Sequence, residues 1–143
     1  MTENELRSAV PERAPVINER IETEFRTASG ITDGEGRSIF GVVIITAGYE
    51  ADGKYTHFLK TQASLKIGDF KLEAGEYIFG YKRIDADALR VTFYRASDGQ
   101  MIGSTKAEVE RKKGPIYSFL IEPPADENGM IRIGRFVMAY SIG

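Results

Sequence analysis

The sequence contains no cysteine. Cysteine nucleophiles, thiolate metal sites and redox pairs are therefore excluded. It holds a single histidine, His57, so a histidine-rich zinc site is excluded as well. No apolar run approaches the roughly 18 residues that a membrane-spanning helix needs. The net charge is −2, which lacks the basic excess expected of a nucleic-acid or anionic-membrane binder. The first residues are polar and acidic, without the apolar core of a secretory signal. Gly34, Gly36 and Gly41 are spaced wrongly for a phosphate-binding loop and do not open a helix. Asp33, Glu35 and Glu50 do not define a carboxylate pair of the glycosidase kind. There is no internal repeat.

A chain of 143 residues fits one domain around one core. With 42% hydrophobic and 28% charged residues it can bury enough surface to fold without cross-links or metal. The clearest folding signal is Leu65–Arg83. Leu65 and Ile67 alternate with Lys66, Gly68-Asp69 follows, and Phe70 and Leu72 alternate with Lys71. Two short alternating runs around a Gly-Asp pair predict a tight hairpin, with Gly68 at positive φ. A second turn is expected at Glu73–Glu76, with Gly75 in the left-handed region. Tyr77 to Tyr81 then reads as a strand with Tyr77, Phe79 and Tyr81 on one face.

The first 37 residues form a different charge regime, with eight acids, five arginines and no lysine. Pro11 and Pro15 argue against a helix before residue 15. Val16, Ile17, Ile21 and Phe25 recur at helical spacing and predict an amphipathic helix over Ala14–Ala28. The alternative is an extended arm with Ile21, Thr23 and Phe25 along one face. Ile39–Tyr49 is apolar on both faces, like a strand buried on both sides. Asp52-Gly53 predicts a hairpin turn, and Tyr55–Gln62 the returning strand. Leu89, Val91 and Phe93 alternate with polar residues, and Ser97-Asp98-Gly99 turns the chain. Met101, Gly103, Thr105, Ala107 and Val109 are expected to form the next inner face. Ile116–Ile121 is a strand closed by Pro123-Pro124, Asp126–Gly129 is a turn, and Met130–Ile142 is one long final strand with Gly134-Arg135 as a bulge. The predicted fold is all-β: an antiparallel sandwich, jelly-roll or immunoglobulin-like, of about eight or nine strands with an N-terminal arm or short helix. The division is an arm and linker over residues 1–37 and a β-domain over 38–143.

Chemistry-bearing residues are sparse. His57 lacks a neighbouring nucleophile motif and reads as structural. Asp85-Ala86-Asp87 and Asp126-Glu127-Asn128 lack the spacing of a calcium loop and read as turn residues. Arg111-Lys112-Lys113 reads as a solvated hairpin tip. No catalytic, cofactor-binding or metal-binding residue is assigned. Tyr77, Phe79, Tyr81 and Phe93 read as a core layer, or as the wall of an apolar ligand pocket.

The motif L-x-I-G-x-x-x-L-x-A-G-x-Y, carried by Leu65, Ile67, Gly68, Leu72, Ala74, Gly75 and Tyr77, resembles a strand-turn-strand of small bacterial exported β-sandwich domains of unknown function. The run from Leu89 through Gly103 and the closing Ile133–Phe136 with Tyr140 are similar to the corresponding parts of such proteins. The resemblance covers Tyr55–Gly143 and implies a secreted or periplasmic sandwich with no catalytic residues to carry over. The functional expectation is a non-enzymatic structural or protein-interaction module. It would self-assemble or join a multi-protein assembly, with Val16, Ile17, Ile21 and Phe25 making the contact. The alternative is a domain that binds a small apolar ligand.

Overall fold

The computed structural model describes residues 1–16, 19–45, 55–111, 114–125 and 128–143, with residues 19 and 20 described by their backbone alone. In chain order the elements are helix α1 (Glu3–Ala9) and strands β1 (Arg13–Val16), β2 (Glu19–Thr32), β3 (Ser38–Ile44), β4 (His57–Thr61), β5 (Leu65–Ile67), β6 (Phe70–Leu72), β7 (Gly75–Asp85), β8 (Ala88–Arg95), β9 (Met101–Val109), β10 (Tyr117–Ala125), β11 (Asn128–Gly134) and β12 (Phe136–Ile142). The chain is all-β and antiparallel, as the turn spacing predicts. Its strands, however, join in one strongly curled sheet, a half-barrel, and do not separate clearly into the two layers of a sandwich. The order is β1-β2-β3-β4-β7-β8-β9-β12-β11-β10, with β5 added to β12 and β6 to β5. Curling brings β10 back against β2, where the Ile121 N–H donates to Ser29 Oγ at 3.0 Å. No helix among the described residues is long and apolar enough to cross a membrane.

The hairpin predicted at Gly68-Asp69 forms, with Ile67 opposite Phe70 and Gly68 at φ 59°. It organises one flank of the barrel. β9 and β12 pair only at Phe136–Val109 and Val137–Glu108, then part. β5 takes over the free edge of β12, and Phe70 on β6 packs its ring against Gly103 of β9. Gly75, expected in the left-handed region, has φ 159° and opens β7 as extended chain. The expected inner face of β9 is buried only at Ala107, while Met101 stays exposed.

The N-terminal expectation needs correction. Ala14–Ala28 is not helical: it contains the antiparallel pair β1 and β2, in which Ala14 faces Ile21. The extended alternative is the one that forms. The helix lies earlier, over Glu3–Ala9, where Thr2 and Glu5 cap its first turn reciprocally. Pro11 follows the helix and so does not oppose it. This segment covers the convex face of the sheet. Leu6, Val10, Ala14, Val16 and Ile21 pack with Phe40, Val42, Ile44, Phe58 and Ile78 in an outer core. That cover is why β3 is apolar on both faces. The concave face holds the larger core, with Leu59, Phe79, Phe93, Ile131 and Tyr140 in it. Each such side chain, fully buried, contributes roughly 1.5–3 kcal/mol.

The long final strand is also two. Gly134-Arg135 is a two-residue turn, with Ile133 paired to Phe136 and Gly134 at φ 59°. Pro123 and Pro124 lie inside β10 and do not end it. β10 is the last strand of the sheet order, and the register slips between Glu122 and Ala125, where missing N–H groups are tolerated. The Ser97–Gly99 turn forms as expected, with Gly99 at φ 74°. The turn expected at Asp52-Gly53, Asp126-Glu127 of the turn expected over Asp126–Gly129, and the lysines of the basic loop lie outside the described residues, while Asn128 and Gly129 belong to β11.

Candidate functional site

One end of the half-barrel opens into a cavity of about 650 Å³, within the 300–1,000 Å³ typical of small-ligand sites. β3 and β7 end there, and β4 and β8 begin. Val43 and Ile44, Thr56 and His57, Tyr81 and Arg83, and Leu89 supply one side; Ser118 on β10 and the turn Ile133–Phe136 supply the other. Thr27 completes the wall from a bulge in β2, where the register slips between Glu24 and Ser29. Its hydroxyl replaces the broken ladder, donating to Glu24 O at 2.7 Å and accepting from Val43 N at 2.9 Å. The bulge thus makes room without leaving those backbone groups unsatisfied.

His57 is the least ordinary residue of this wall. It pairs with Val43 and Phe79 in adjacent strands, and its ring is sandwiched among aromatics. Phe79 stacks on it at 4.6 Å and 5°, and Phe119 and Tyr81 flank it at 5.2 and 6.3 Å. Phe119 can come this close because residue 41 is glycine: a Cβ there would lie 2.7 Å from its ring. His57 is 3% exposed. Burial alone lowers its pKa to about 3, so the imidazole is neutral at physiological pH.

The neutral ring carries one proton. Nδ1 lies 2.7 Å from Thr56 Oγ, and the Thr56 hydroxyl lies 3.2 Å from Phe79 O. If Nδ1–H donates to Thr56 and Thr56 donates to Phe79, every donor in the chain is used. The other tautomer would strand a buried N–H, which costs more than a bare lone pair. The network therefore places the proton on Nδ1 and leaves Nε2 as a lone-pair acceptor. Nε2 is buried and has no hydrogen-bond partner among the described residues.

The four aromatics expected to line a pocket are divided by the fold. Phe79 and Phe93 are fully buried in the concave core, their centroids 4.9 Å apart. Tyr81 lines the cavity. Tyr77 sits at the opposite end of the barrel, donates to Glu73 O at 2.7 Å, and borders a different cavity of about 520 Å³. Burial raises its hydroxyl pKa. Of the residues expected to make external contacts, Val16 and Ile21 are buried in the outer core at 1% and 7% exposure. Phe25 packs partly against that core, with the Arg7 guanidinium 4.5 Å from its ring centroid. Ile17 lies outside the described residues.

Thr27, Val43, Arg83, Ser118 and Phe136 were not legible as one site, because five different strands bring them together. The available signal was His57 itself, a polar ring inside an apolar strand. Among the described residues no group of three or more His, Cys, Asp or Glu is arranged to hold a metal. Asp85 accepts from Asp87 N at 2.8 Å in the β7–β8 turn, and Asp87 pairs with Arg111. Comparison with family models, with curated proteins and with solved structures finds no match to this chain.

Proposed function

We propose that this half-barrel is a binding domain for a small, largely apolar molecule, held in the cavity walled by His57. The observation that carries the reading is an opening of about 650 Å³ whose wall sets the apolar Val43, Leu89, Ile133 and Phe136 beside the neutral imidazole of His57. The body of the ligand would rest on these apolar side chains. The reading is of binding and not of turnover. An imidazole with a pKa near 3 is a weak base at neutral pH, well away from the range that favours proton transfer.

The test is thermal stability of the purified chain against a panel of medium-chain and aromatic acids, alcohols and amines. A binder at 100 times its Kd adds about 2.7 kcal/mol and raises Tm. Ser118 is exposed on the cavity wall, so Ser118→Trp fills the space without entering the core. Stabilisation lost in Ser118→Trp supports the site; stabilisation unchanged in it refutes the site. A second reading, an interaction module acting through the N-terminal segment, draws on Phe25, which is only partly buried. Sedimentation analysis tests it: a dimer of the chain that Phe25→Asp dissociates supports it, and a monomer refutes self-assembly through this residue.

A further inference from the structure

The mouth of the cavity carries charge of one sign. Arg83, near the end of β7, and Arg135, in the β11–β12 turn, both line it. No Asp or Glu is among the described residues that do. Arg37, Arg95, Arg111 and Arg132 each hold a carboxylate, whereas neither Arg83 nor Arg135 has a described carboxylate partner. The Arg83 guanidinium lies over the Phe136 ring at 5.5 Å from its centroid. Stacking on an aromatic face orients its donors while leaving them unspent. The cavity beside Tyr77 lacks this polarity, mixing Lys71 and Arg95 with Glu73 and Glu76.

The cavity therefore grades from apolar side chains to two guanidiniums that no described carboxylate pairs. Resting on the binding reading given above, we infer that the ligand is an amphiphile with a single oxyanion head. The head sits at Arg83 and Arg135, where charge-assisted hydrogen bonds form, and the apolar body lies against Leu89, Ile133 and Phe136. Because the guanidiniums are at the exposed rim, their contribution is selective more than large, and it weakens with salt.

The experiment is calorimetry of the full chain with decanoate, decanol and decylammonium at neutral pH and low salt, with the His57 ring signals followed by NMR. The expected result is decanoate about tenfold tighter than decanol, decylammonium weakest, and added salt weakening decanoate alone. Replacing both arginines, Arg83→Gln with Arg135→Gln, is expected to bring decanoate to the affinity of decanol and to leave decanol unchanged. Decanol equal to decanoate in the unaltered chain, or decanoate unmoved by the double replacement, overturns the oxyanion assignment and leaves the cavity standing as a binding site. If none of the three binds or shifts the His57 signals, the binding reading fails and this inference falls with it.

Discussion

Lowering the pH should destabilise this protein through His57 more than through any surface carboxylate. The folded imidazole has a pKa of about 3; in the unfolded chain it returns to about 6.5. Above pH 6.5 neither state binds the proton and the full stability is present. Between 6.5 and 3 the unfolded chain takes up a proton that the native ring refuses, so stability falls as the pH falls. At about 1.4 kcal/mol per unit, the loss is on the order of 3 kcal/mol between pH 7 and pH 4. Asp33 and Asp98, whose carboxyls are held below their ordinary range first by backbone hydrogen bonds, also weaken the fold in acid. His57→Leu keeps their contribution and removes the titrating ring. Urea unfolding of both proteins at pH 7, 6, 5 and 4 isolates the term. The wild-type curve should drop away from the variant's below pH 6.5. Parallel curves would refute the neutral buried imidazole.

Other consequences follow from single contacts. Ser29→Ala leaves the buried Ile121 N–H without its acceptor; a loss of about 1–3 kcal/mol is expected, with hydrogen exchange at Ile121 accelerated beyond the global change. Gly41→Ala puts a methyl 2.7 Å from the Phe119 ring and 3.0 Å from Phe58 O; the forced displacement should cost about 1–3 kcal/mol in urea unfolding and disturb the His57 ring signals. Thr2→Ala removes the cap of α1 and should destabilise by about 0.5–2 kcal/mol, with exchange fastest at the amides of Glu5 and Leu6.

What could be read in the sequence was local. The Gly68-Asp69 hairpin, the buried alternation of Leu89, Val91 and Phe93, and the double-sided burial of Ile39–Ile44 all follow from patterns within a few residues. Errors arose where two periodicities coincide. Val16, Ile21 and Phe25 satisfy a helical spacing, yet the antiparallel pairing of Arg13–Val16 with Glu19–Glu22 and Pro15 in the edge strand make the pair extended. The reciprocal Thr2 and Glu5 cap was visible before Pro11 and marks the helix that exists. At Gly134-Arg135 a glycine inside an apolar run fits a bulge and a tight turn equally; pairing of β11 with β12 decides for the turn. The sheet's closure is less legible still. It depends on a serine hydroxyl meeting an amide 92 positions away. The cavity wall inherits that dependence, because Ser118 and Thr27 line one cavity only when β10 curls back to β2.

The central claim is that the cavity beside His57 takes a ligand. His57 is the sole histidine of the chain, so its ring nitrogens give one unambiguous pair of signals. A nitrogen-15 spectrum of the imidazole, recorded while decanoate or decanol is titrated in, tests the claim directly. A neutral ring protonated at Nδ1 is expected in the free protein, with a saturable displacement of the ring nitrogen signals by at least one of the two. A ring signal that stays fixed through both titrations would contradict it.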